Sequence, residues 1–241
     1  MINKIVLLDT ETTGIKPEEG AKVLEVAAII LSNESGSWEA LTNHWQSYVE
    51  FEGEIPPEAR AVHHISPNDV KPGAPDCYPY DVVIKEMLDA EEEGSCYAAH
   101  NAKFDSGFLP ELTLPWLCTH RCALHIYPDA PRYSNQVLRY FLGIEPDPKL
   151  IEGLAPHRAL YDTAVTAGLL LDMLGKGYTP EQLIRMTSTP ILQVTCKFGS
   201  KHFDQPWAEV PRSYMNWMLR EGVRADDIDI QHTIRHYLGL L

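Results

Sequence analysis

Two carboxylates stand one residue apart in the string Asp9-Thr10-Glu11-Thr12-Thr13-Gly14. At the end of an extended segment, alternation places both on one face, about 7 Å apart. Charges held that close repel, and divalent metal binding is one reason to keep them; a solvated strand end followed by a polar turn is the other. A second string, His100-Asn101-Ala102-Lys103-Phe104-Asp105, carries an acid into the first turns of a helix. Asn101 suits an N-cap and Asp105 suits the helix dipole, so neither requires catalysis by itself. The third string is His157-Arg158-Ala159-Leu160-Tyr161-Asp162. A five-residue offset turns about 140° around a helix, so the two outer side chains meet only if His157 precedes the first turn. Its position after Pro156 allows that, and an imidazole there is a candidate general base.

Taken together, four acids in order with one histidine at a fixed offset resemble the DEDD superfamily of 3′-to-5′ exonucleases, in its histidine (DEDDh) subclass. Asp9 and Glu11 match the first motif, Asp105 the second and Asp162 the third, with His157 five residues before the last acid. The tyrosine subclass would need Tyr at 158, where the chain has Arg. Leu24-Glu25-Val26-Ala27 and Ala61-Val62-His63-His64-Ile65-Ser66 are similar to further segments of these enzymes, and Tyr133-Ser134-Asn135 is similar to the exonuclease X group. So is the tail, with Phe198-Gly199, Pro211, Tyr214 and Trp217, although its loop from Ser200 to Gln205 is only mildly basic.

The resemblance implies a ribonuclease H-like α/β fold and a metal-dependent exodeoxyribonuclease that releases 5′-mononucleotides from DNA 3′ ends. It implies two divalent ions, Mg²⁺ with Mn²⁺ as substitute, on Asp9, Glu11, Asp105 and Asp162, with His157 as general base. Thr10, Thr12, His63, Asn101 and Phe104 are the candidate contacts to the terminal nucleotide. An RNA exonuclease of the same fold and a non-catalytic nucleic-acid-binding module are the competing readings.

These residues need elements to position them. Lys4–Asp9, Val23–Leu31 and Leu41–Phe51 read as three successive strands, hence an antiparallel meander. Helices follow from Pro57 and over Tyr80–Glu93, then a strand Cys96–Ala99, a helix Ala102–Leu112, a strand Trp116–Cys118, a helix Ser134–Phe141 and a long apolar helix Arg158–Leu174. The pattern predicts a mixed five-stranded sheet in a domain of residues 1–176. Residues 177–241 read as a small α+β module for binding DNA or a partner: a helix from Pro180 to Met186, a strand Gln193–Phe198 and two helices, Ser213–Leu219 and Asp226–Leu238. Cys118-Thr119-His120-Arg121-Cys122 with His125 invites a zinc reading, but the second ligand pair that structural sites usually show does not follow.

The 241 residues hold 34 acidic and 20 basic side chains, with 44% hydrophobic and 22% charged residues. Those proportions suit a globular protein and exclude overall disorder or a fibrous class. The net charge of −14 lacks the basic footprint usual for phosphate binding. Two divalent ions at the site would supply positive charge where a basic patch would otherwise be needed. No run reaches the ~18–20 apolar residues of a membrane span, and no membrane association is expected. Five cysteines without framework spacing and an N-terminus leading directly into a strand suggest a reduced, cytoplasmic protein without a signal peptide.

Overall fold

A computed structural model describes the backbone of residues 1–241 and the side chains of all but residues 42 and 43. Strand β1 (Lys4–Thr12) is a run of Ile, Val and Leu buried at every position from Ile5 to Leu8, as a central strand covered on both faces must be. It pairs antiparallel with β2 (Val23–Ser32), which pairs antiparallel with β3 (Glu39–Val49). Helix α1 (Pro57–His63) follows, then β4 (Cys77–Tyr78) and α2 (Tyr80–Asp89). Strand β5 (Ser95–Ala99) returns parallel to β1; α3 (Ala102–Phe108) leads to β6 (Trp116–Cys118), parallel to β5. Helices α4 (Thr119–Ile126), α5 (Asn135–Leu142), α6 (Pro148–Ile151), α7 (Ala159–Gly175) and α8 (Pro180–Ser188) complete this part, and α9 (Arg212–Arg220) and α10 (Ile228–Leu238) close the chain.

The sheet order is β4-β3-β2-β1-β5-β6. The α/β, ribonuclease H-like class is as expected, with six strands instead of five. The additional strand is β4, two residues long and parallel to β3 at the edge of the sheet, too short to leave a pattern in the sequence. The string with the zinc-like spacing is split between elements: Cys118 ends β6 and is buried in the core on one face of the sheet, whereas Cys122 lies on α4 and is buried in the core on the other face. Helix α3 stops at Phe108 because Pro110 follows.

One face of the sheet packs against α7, whose residues Ala159 to Ala167 are all buried. Leu7, Ile29, Ala98, Leu117, Leu170 and Met173 share that core. Val6, Leu8, Val26, Tyr97, Val83, Met87 and Phe108 form the core on the other face.

The chain divides into two compact units, Met1–Thr187 and Ser188–Leu241. The boundary expected at residue 176 moves because α8 inserts Leu183, fully buried, into the core beneath α7. The second unit has its own core of Trp207, Met215, Met218, Ile230, Ile234 and Leu238. The strand expected over Gln193–Phe198 is replaced by a single bridge between Thr195 and Pro206. The bonds that close it run from the Trp207 N–H to the Val194 carbonyl and from the Cys196 N–H to the Gln205 carbonyl, each 2.9 Å.

Candidate active site

The C-terminal end of β1 carries Asp9, Thr10, Glu11 and Thr12, of which the last three are buried and Asp9 is partly exposed. Burial of this string forces its polar groups to find partners inside the protein. The Thr10 hydroxyl donates to Asp105 Oδ1 at 2.8 Å, which ties the second acidic motif to the first. The Thr12 hydroxyl donates to the Gly14 carbonyl at 2.6 Å and shapes the turn after the strand.

Asp105 is 2% exposed, on the first turn of α3. Asn101 sits at the N-cap position of that helix in the left-handed conformation, φ 76°, and its carbonyl accepts from Phe104 N–H at 2.8 Å. Asn and Asp are the non-glycine residues that take such a conformation most readily. Phe104 is half-buried, its ring 4.9 Å from that of Phe108.

The third motif meets the others at the start of α7. Asp162 Oδ2 accepts from the His157 backbone N–H at 3.0 Å, and Asp162 Oδ1 accepts from Gln136 Nε2 at 3.1 Å. Asn135 Nδ2 donates to the Asp162 carbonyl at 3.0 Å. His157 takes the left-handed conformation, φ 65°, and its Nδ1 lies 3.9 Å from Asp162 Oδ2. The side chain is 58% exposed and open to a substrate. Ligand atoms of Glu11, His157 and Asp162 all lie within 4.8 Å of one another.

The electrostatics show how closely the acids gather. Burial, and then repulsion from Asp105, Glu11 and Asp162, hold the Asp9 carboxyl well above the usual carboxylate range. Burial and the Glu25 and Asp162 carboxylates push Glu11 up to about 9. Burial raises Asp105 to about 7 against the opposing Thr10 hydroxyl. Asp162 is raised by burial, opposed by the His157 amide and imidazole and the Gln136 amide. Such a set of hard oxygen donors, unfavourable when ionised together, fits a divalent cation of the Mg²⁺ or Mn²⁺ kind.

His63 is 2% exposed at the end of α1, and its Nδ1 accepts from Ile65 N–H at 2.9 Å. That bond fixes the proton of the neutral ring on Nε2. Burial lowers the imidazole pKa, against the Thr12 backbone carbonyl, which raises it.

A buried ion pair underlies the site. Glu25, fully buried in β2, stands directly opposite Glu11 in the ladder. Arg158 meets it with Nη2 at 2.6 Å and Nε at 3.2 Å, and the Ala159 N–H adds a bond of 3.1 Å. Gln46 Nε2 at 2.5 Å and the Tyr48 hydroxyl, 2.5 Å from Arg158 Nη2, complete the network. This network pins the first residue of α7 and so sets where His157 and Asp162 lie. The sequence carried one signal of it, a glutamate inside the apolar run Val23–Leu31. Asn135 was marked only by the resemblance of Tyr133-Ser134-Asn135, and Gln136 by no signal.

Residues 6–170 match the family of exonucleases designated RNase_T. Exodeoxyribonuclease 10 of Escherichia coli strain K12 is 31% identical over 240 residues, covering 96% of this chain and 97% of that protein. Ribonuclease T of Klebsiella pneumoniae is 30% identical over 188 residues, 71% of this chain and 84% of that protein. Among solved structures, exonuclease X in complex with 5′-overhanging duplex DNA superposes with a TM-score of 0.60 at 30% identity, covering 76% of this chain and 99% of that one. With the four acids and the histidine gathered at one end of β1, the chain belongs to this exonuclease family, the DEDDh 3′-to-5′ superfamily, and is a 3′-to-5′ exonuclease, a phosphodiester hydrolase.

Proposed function

We propose that the protein removes nucleotides one at a time from DNA 3′ ends and releases 5′-mononucleotides. The observation that carries this reading is the convergence of Asp9, Glu11, Asp105 and Asp162, each raised above its ordinary pKa and each from a different motif position. DNA is the favoured substrate because the relative matched along nearly its whole length is an exodeoxyribonuclease.

Asp9, Glu11, Asp105 and Asp162 are the residues that would hold two Mg²⁺ ions, with Mn²⁺ as substitute. When bound, the ions would supply Lewis-acid stabilisation of charge on the phosphate and the leaving oxygen. The protein's own groups do the rest. Thr10 keeps Asp105 in place, and Gln136 with the His157 amide keeps Asp162 in place. The exposed His157 imidazole accepts the proton of the attacking water. Thr12, His63, Asn101 and Phe104, with the Thr10 backbone, line the approach of the terminal nucleotide. Residues 1–187 carry all of this machinery and constitute the catalytic domain. No helix among the described residues is long and apolar enough to cross a membrane. Five unpaired, buried cysteines fit a reducing compartment, the cytoplasm.

The test is a digest of a 5′-labelled DNA oligonucleotide with and without Mg²⁺, alongside RNA of the same sequence. A ladder shortening by single nucleotides on DNA, absent with chelator and in Asp9→Ala, is the expected result. Equal or faster digestion of RNA would reassign the substrate. His157→Ala should retain the fold and slow the reaction by about 10²–10⁴-fold.

A further inference from the structure

The second compact unit presents an aromatic surface that the exonuclease chemistry does not use. Tyr214 and Trp217, one turn apart on α9, have ring centroids 5.3 Å apart and planes inclined by 30°. The His202 ring packs on the other neighbour of this pair, 4.5 Å from Tyr214. Lys201 places its ammonium 5.7 Å from the Tyr214 centroid. These four, with Pro211 and Ser213, line an open groove of about 510 Å³ that contains no acidic side chain. Trp217 is 40% exposed and Phe203, on the same loop as His202, is 58% exposed. Tyr214 and Trp217 together make a contiguous aromatic surface open to solvent.

The charge distribution selects the partner's chemistry. Residues 188–241 hold six basic and six acidic side chains, so the whole −14 falls on residues 1–187. Within the loop, Lys197 is neutralised by Asp204, while Lys201 sits over the aromatic ring. A row of π-faces with one cation and no carboxylate suits a stacked base whose phosphate lies near an ammonium. A purely aliphatic peptide would leave the ammonium without a counter-charge.

We propose that Tyr214, Trp217, His202 and Lys201 form a single-stranded nucleic-acid site in which one or two bases stack on the Tyr214–Trp217 rings and Lys201 contacts the adjoining phosphate. All four residues belong to the second compact unit, and the proposal goes beyond the hydrolytic reaction.

The test uses the full chain with Asp9→Asn, in chelator, so that nothing is hydrolysed and the readout does not depend on the catalytic reading. Two labelled probes are compared by fluorescence anisotropy: a twelve-nucleotide thymidine oligomer and an abasic oligomer of equal length. The base-containing probe should bind more tightly. Trp217→Ala should weaken its binding by roughly 5- to 150-fold, the range for one lost stack, and leave the abasic probe unchanged. Trp217→Phe, which keeps a ring and guards against a folding defect, should restore most of the affinity. Lys201→Gln should weaken both probes and reduce the slope of log affinity against log salt by about 0.7. Parent-like binding of both probes by Trp217→Ala and by Tyr214→Ala would overturn the proposal. So would a Trp217-dependent fluorescence change on adding an apolar peptide but none on adding either oligomer, which would make the groove a protein-docking site.

Discussion

Glu11 sits in an environment that penalises its charge from two directions, burial and the carboxylate of Glu25 across the ladder. In the metal-free protein it holds its proton up to about 9, against an ordinary value of 4.5. The folded state therefore binds more protons than the unfolded one between those limits. By linkage, this contribution to stability is fully present below pH ~4.5 and is lost as pH rises through ~9. Glu11→Gln should flatten that decline, measured as melting temperature in chelator at pH 5, 7 and 9. Mg²⁺ should reverse the loss in the parent, since a ligand at 100 times its dissociation constant adds ~2.7 kcal/mol. The gain should be larger at pH 8 than at pH 6, where fewer of the acids are ionised. A pH-independent melting temperature in the parent would remove the acids' repulsion as its cause.

Helix α7 is held at its first turn by charge and along its length by close packing. Arg158→Ala would leave Glu25 buried and unpaired opposite Glu11, which should cost ~3–5 kcal/mol in urea denaturation. Activity should fall as well, because His157 and Asp162 lose the anchor that sets their position. Further along, a Cβ at Gly168 would come 2.4 Å from Ile144 Cγ2. Gly168→Ala should therefore destabilise by ~1–3 kcal/mol despite the better helix propensity of alanine. Adding Ile144→Ala should recover part of the loss, which a propensity effect alone would not explain. These elements also show what the sequence could reveal. The strands of the meander, α7 and the acids on them were legible because burial leaves a periodic pattern and charged residues interrupt it. Strand β4 was not, since two residues carry no period. Helix α4 was not, since Thr119 to Ile126 mixes polar and apolar residues at a spacing that suggests ligands. The role of Glu25 stayed hidden because Arg158 lies 133 residues away in sequence.

For the molecule as a whole, the boundary between compact units decides which fragment survives alone. A chain ending at Thr187 keeps α8 and the buried Leu183, and it should fold and digest DNA. One ending at Lys176 removes Leu183 from the core, a loss comparable to a large-to-small core substitution of ~2–5 kcal/mol, and should melt markedly lower. Comparison of the two fragments by calorimetry and by oligonucleotide digestion tests the assignment of catalysis to residues 1–187.

The opposition of Glu11 and Glu25 also bears on the order in which the chain assembles. Strands β1 and β2 are neighbours in sequence and can pair early, as local contacts generally do. Their pairing brings two carboxylates face to face before Arg158, 133 residues from Glu25, can arrive to neutralise them. Closing that long loop carries an entropic cost that the local hairpin does not. The hairpin's end must therefore stay frayed, or take up protons, until α7 docks. The acid cluster then becomes a late-forming region, and refolding should speed up in mildly acidic buffer, where protonation removes the early repulsion.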